Sequence, residues 1–151
     1  MEIIHVILGK ANPNRTNGVN KVVNSLATYQ TKKGVKISVW GITKNPIHDY
    51  PERIYETILF KETSKIFLPK GIKEAVQSKG QSTVFHFHGG FLPQFILITR
   101  LILKQGLSYV FTPHGSYNTI AMKRSHWKKK MYISLFEKEL VENAKALHFI
   151  G

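Results

Sequence analysis

Glu2 to Leu8 is a short apolar run rich in Ile and Val, the pattern of a strand buried on both faces. A loop rich in Asn, Gly and Pro follows, from Gly9 to Asn17. Val19, Val22, Val23, Leu26 and Ala27 then recur at helical spacing, predicting a helix that stops at Gly34. Val35 to Ile42 reads as a second strand, which completes a β-loop-α-β unit. Thr43 to Arg53 contains Pro46 and Pro51 and is expected to be loop, with a third strand over Glu56 to Phe60. Pro69 suits the first turn of a helix reaching about Lys79. Thr83 to His88 is a strand, Pro93 to Gly106 a helix, and Ser108 to Thr112 a strand. After a loop from Pro113 to about Arg124, Ser125 caps a long helix with the stripe Trp127, Met131, Leu135, Phe136 and Leu140. Ala146 to Ile150 reads as a last strand.

Strands alternating with helices predict an open, mostly parallel α/β sheet with helices on both faces. Ligands of such sheets bind beyond the carboxyl ends of the strands. The loops at that edge are Gly9–Gly18, His88–Phe91 and Pro113–Arg124, the segments richest in Gly, His, Asn and basic residues.

Composition narrows the picture. The 151 residues suit a single domain over 1–151. With 42% hydrophobic and 11% aromatic residues the chain is not a disordered tail. The absence of cysteine excludes a disulfide scaffold and a Cys-ligated zinc site. No apolar run approaches the roughly 20 residues of a membrane span. Met1-Glu2-Ile3-Ile4-His5 lacks the basic region of a signal peptide, so a cytoplasmic protein is expected. A net charge of +13 points to anionic partners: phosphorylated ligands, an acidic membrane face or nucleic acid.

Familiar motifs are missing. There is no G-x-G-x-x-G, no P-loop and no H-E-x-x-H. His88-Gly89-Gly90 resembles an esterase oxyanion loop, but no G-x-S-x-G elbow accompanies it. His86 and His88 share one strand face and, with His114, can in principle bind zinc. The stronger reading makes His86 a hydrogen-bonded histidine within the sheet, and no metal is expected. Asn17-Gly18 opens the first helix. It can hold a phosphate on free N–H groups, aided by Lys10 and Arg15, or simply cap the helix. Lys123, Arg124, Lys128, Lys129 and Lys130 form a basic cluster: a solvated face, or a patch for anionic lipid or a phosphorylated acceptor. Trp127 within it is expected to pack in the core, and is otherwise an interfacial anchor.

Taken in order, these segments resemble the N-terminal domain of family 4 retaining glycosyltransferases of the two-Rossmann-domain (GT-B) type. The carrying features are the strand Ile3–Leu8; Asn17-Gly18-Val19 with Val22-Val23 and Leu26; Gly34; Val84-Phe85-His86-Phe87-His88-Gly89; Val110-Phe111-Thr112-Pro113-His114-Gly115; and the helix leading to Ala144-Lys145-Ala146-Leu147-His148-Phe149. The resemblance implies a Rossmann-like sheet forming one half of the enzyme. That half supplies the acceptor site, and the nucleotide-sugar half with its E-x7-E pattern is absent from this chain. It implies transfer of a sugar from a nucleotide-diphosphate sugar to a surface-glycan or lipid-linked acceptor. It places Gly18 near the diphosphate and His114 beside the transferred sugar, with Asn17 where many members carry a first Gly. His88, Gly89 and Gly115 join the binding set. Such enzymes run to more than twice this length, so a piece of a longer enzyme is expected, inactive by itself, working with its own C-terminal domain at the inner membrane face. The competing reading is a non-catalytic module for phosphorylated or anionic ligands; specific nucleic-acid binding rests on charge alone.

Overall fold

The computed structural model describes residues 1–15, 17–117, 127 and 131–149. Among these residues six strands form one all-parallel sheet: β1 (Glu2–Leu8), β2 (Lys36–Thr43), β3 (Glu56–Lys61), β4 (Thr83–His88), β5 (Ser108–Thr112) and β6 (Ala146–Leu147). Their order is β3-β2-β1-β4-β5-β6, the doubly wound Rossmann order. The order reverses direction between β1 and β4, which opens a crevice at their carboxyl ends. Helices α1 (Gly18–Lys32), α2 (Ile72–Gln77), α3 (Pro93–Lys104) and α4 (Lys138–Glu142) flank the sheet, and α4 is preceded by a π-helical turn over Ile133–Glu137.

The alternation of side chains along the strands divides the interior in two. Ile4, Val6, Trp40, Ile42, Phe85, Phe87, Tyr109 and Phe111 form one core with Ile72 and Val76 of α2, Phe95, Ile98 and Ile102 of α3 and Leu140 of α4. Ile7, Ile37 and Val39 meet Val23 and Ala27 of α1 in the other. On this second face β4 and β5 present His86, His88 and Thr112 in place of apolar residues, and all three are buried.

Four expectations need correction. The helix expected from Pro69 starts at Ile72, because Gly71 holds a left-handed φ of 82° that no helical turn accepts. The last strand is only Ala146–Leu147. The long C-terminal helix does not run regularly: at Ile133–Glu137 the wider π turn shifts the phase, so Leu135 and Phe136 face outward and Glu137 turns inward. Trp127 is 75% exposed and is not a core residue, and of its predicted stripe only Leu140 is buried. The predicted cap Ser125 lies outside the described residues.

Candidate functional site at the carboxyl edge of the sheet

The loop leaving β1 is drawn tightly over β2. Gly9 N–H donates to Ile42 O at 2.8 Å, and a Cβ at Gly41 would collide with Gly9 O and the Leu59 side chain. Only glycine at position 41 lets the two backbones approach this closely. Arg53 steadies the same loop, donating to Lys10 O at 2.7 Å and to Ala11 O at 3.1 Å, where Ala11 holds a φ of 50°. Lys10 is buried, and its ammonium donates to Ile47 O and to Asp49 Oδ1, each at 2.7 Å. Its charge is therefore paired inside the loop, and Arg15 remains the exposed cation there. At the helix start, Asn17 Oδ1 accepts from Val19 N–H at 2.9 Å, so Asn17 is a true N-cap.

These local choices bring the helix start opposite the loop after β5. Asn17, Gly18, Val19 and Val22 face His114 and Gly115 across an open cleft of about 470 Å³. Leu8, Gly9, Lys10, Arg15, Asn17, Asn20 and Thr43 line an adjoining hollow of about 140 Å³. Asn20 is buried there, and its Oδ1 has no hydrogen-bond partner among the described residues. A Cβ at Gly18 would meet nothing within 4 Å, so the helix start is open to a ligand. Free N–H groups of the first turn and the positive end of a 15-residue helix favour an anion in this position.

Five of the seven histidines gather in and behind the cleft, with His114 lining it. His5 and His86 stand side by side in the β1–β4 register. His5 Nε2 lies 2.7 Å from Gln30 Oε1 of α1, and His5 Nδ1 lies 2.9 Å from His88 Nε2. His88 Nδ1 in turn lies 2.8 Å from His114 Nε2. His86 Nε2 meets Thr112 Oγ1 at 2.7 Å, which places His86 as the sheet-bound histidine expected, and Thr112 Oγ1 also reaches His148 Nδ1 at 3.2 Å. Burial strips water from the rings of His5, His86, His88 and, in part, His114, and disfavours their charged forms. Desolvation lowers His5 to about 4. The same cause, with neighbouring histidine charges adding to it, lowers His86 to about 3 and His88 well below its ordinary value. His114 is lowered for the same reason. At neutral pH the rings of His5, His86 and His88 are uncharged.

His5, His86 and His88 offer ligand atoms within 4.8 Å of one another, the group of described residues that could hold a metal ion. Two of the three rings already face each other at hydrogen-bond distance, and none of the three is a carboxylate that would balance a divalent charge.

A second set of contacts fixes the two glycine-bearing loops. Gly89 N–H donates to Thr112 O at 2.8 Å and Gly90 N–H to Ser116 Oγ at 3.1 Å. Phe91 N–H donates to Glu137 Oε1 at 2.9 Å, and the Tyr117 hydroxyl donates to the same oxygen. Glu137 thus ties the loop after β4 to the loop after β5, and both His88 and His114 depend on those loops. Burial raises the Glu137 carboxyl, an effect that the Tyr117 and Phe91 hydrogen bonds oppose. Tyr117 is raised as well, by burial and by the carboxylate it faces.

Of the sequence-predicted residues, Asn17, Gly18, His114 and Gly115 share the cleft, Lys10 and Arg15 line its neighbour, and His88 and Gly89 stand behind it. Lys123, Arg124, Lys128, Lys129 and Lys130 lie outside the described residues. His5, Gln30, Glu137 and His148 were not anticipated. The period-2 spacing of His5 with Ile3 and Ile7 signals only a shared strand face, and Glu137 follows a helical pattern that the π turn breaks.

A family model for Glycosyltransferase Family 4 matches residues 16–150. No curated protein matches the chain. Among solved structures, a homoserine dehydrogenase from S. aureus aligns at 17% identity and a TM-score of 0.44, over 100% of this chain and 32% of that one. The chain therefore spans about a third of that protein's length, and the likeness carries no functional argument. The family match extends from just before the N-cap of α1 to the end of the described chain, across the cleft and its histidines, and on that ground the chain belongs to Glycosyltransferase Family 4.

Proposed function

We propose that this chain is the acceptor-side domain of a glycosyltransferase that moves a sugar from a nucleotide-diphosphate donor to a surface-glycan or lipid-linked acceptor. The observation that carries the reading is the cleft in which the open N-terminus of α1 faces His114 and Gly115. Breaking a sugar–diphosphate bond requires stabilised charge on the departing phosphates and a reacting carbon shielded from water. The open helix start at Gly18 and the positive end of α1, with Arg15 nearby, meet the first requirement without a metal ion. A nucleotide-sugar domain closing over the cleft meets the second. His114, uncharged at neutral pH, orients a sugar hydroxyl by hydrogen bonding; proton transfer is the lesser role. The charge of +13 suits phosphorylated donors and an acceptor carried at the inner membrane face.

The test pairs His114→Ala with sugar-transfer assays on the protein together with its nucleotide-sugar domain, and with donor and acceptor titrations of the chain alone. Turnover is expected to fall on the order of 100-fold with the fold intact. Unchanged kinetics would remove His114 from the site, and a chain that binds neither nucleotide sugars nor glycan acceptors would remove the reading itself.

A further inference from the structure

The hydrogen-bond chain Gln30–His5–His88–His114 has a direction. A carbonyl oxygen only accepts, so at the Gln30 end His5 Nε2 must carry the proton it donates to Oε1. A neutral imidazole has one N–H, so His5 Nδ1 is then a bare lone pair. The contact of 2.9 Å to His88 is satisfied only if His88 Nε2 donates. His88 Nδ1 is bare by the same rule, and the contact of 2.8 Å requires His114 Nε2 to donate. What is left is the Nδ1 lone pair of His114, which has no partner among the described residues, on a ring that lines the cleft. Each ring's proton is fixed by the ring before it.

We propose that Gln30, His5 and His88 are positioning residues that lock His114 as the Nε2–H tautomer, so that it meets its ligand through Nδ1 as a hydrogen-bond acceptor. The group that binds there is accordingly a donor, such as a sugar hydroxyl. This deepens the proposed transferase role and rests on it for the identity of the ligand, but the tautomer follows from the contacts alone. The neutrality that the argument requires agrees with the burial of His5, His86 and His88. Gln30 is 12 residues beyond Gly18 on α1, about 18 Å along the helix, so its influence on the cleft passes through the two buried rings. His86 and His148 share Thr112 and form a separate branch that leaves this direction unchanged.

Imidazole nitrogen chemical shifts of the ¹⁵N-labelled chain at neutral pH read each tautomer directly, with no turnover needed. His5, His88 and His114 are each expected to show a protonated Nε2 and a bare Nδ1. A protonated Nδ1 on any of the three, or rapidly averaged tautomers at His88, would overturn the proposal. Gln30→Leu is the second measurement: it removes the acceptor that sets the direction from a partly exposed helix position, with folding checked in the backbone amide spectrum. The His114 nitrogens are expected to move from one tautomer towards a mixture. A His114 tautomer unchanged in Q30L sinks the relay, yet leaves the transferase reading standing. The His114→Ala assays decide that reading separately.

Discussion

The uncharged histidine cluster makes the fold acid-labile in a window set by histidine itself. Consider a drop from pH 7 to pH 5. In the unfolded chain each histidine titrates near 6.5 and binds a proton across this interval, whereas His5 and His86 in the fold stay neutral down to about 4 and about 3, and His88 stays neutral to well below 6.5. The unfolded state then holds more protons, so stability falls as pH falls. Each histidine kept neutral at pH 5 forfeits about 2 kcal/mol relative to an unfolded reference near 6.5. His5 and His86 together forfeit about 4 kcal/mol, and His88 adds to this in the same direction, a sum comparable with the ~5–15 kcal/mol that holds a domain of this size. The carboxyls of Glu2, Asp49 and Glu139 are lowered from values already near 4, so their contribution is lost only below this window. Glu137 acts in the opposite sense, since its raised carboxyl takes up a proton in the fold as pH falls. Urea unfolding at pH 7, 6 and 5 measures the sum. The free energy should decline by about 3 kcal/mol or more per pH unit on the steep part, the signature of at least two protons. A slope below one proton, or a midpoint that does not move between pH 7 and 5, would refute the reasoning that these rings are buried and neutral.

Two further predictions concern the frame of the site. Gly41→Ala places a methyl group against Gly9 O and the Leu59 side chain, so it should destabilise the domain by about 2 kcal/mol or more and shift the amide resonances of the Gly9–Asn17 loop; a thermally silent variant would contradict the close approach. Tyr109→Phe removes the buried hydroxyl that donates to Leu140 O at 2.7 Å, and leaving that carbonyl without its donor should cost about 1–3 kcal/mol, read as a lowered thermal midpoint.

The scaffold was legible in the sequence wherever local chemistry and burial agree. The Ile- and Val-rich run of β1, the Asn17 cap and the apolar spacing of α1 need only near neighbours, and each predicts its element. So do the loops that carry the cleft residues, because turn chemistry and strand ends are local. The histidine chain was not legible, because a lone His5 among Ile and Val is indistinguishable from an ordinary strand residue until strand order sets it beside His86. Lys10 stands in a loop that reads as solvent-facing, and only the return of the 43–53 segment, with Asp49 and Arg53, shows that it is enclosed. Glu137 fails for a third reason: a period of 3.6 residues assigns it to the outer face, and one wider turn moves it inward.

That wider turn has a genetic consequence. Around a helix each residue adds about 100°. Deleting a single residue between Ile133 and Glu137 would restore regular winding and leave Glu137 in phase with Phe91 and Tyr117, because the wide turn amounts to one residue more than an α turn. Adding a residue would rotate the carboxylate away, even though every side chain that touches the cleft remained. The loops after β4 and β5 are thus registered by a count of residues as much as by their identities. A survey of point substitutions would pass over that dependence, and a scan of one-residue deletions and insertions would expose it.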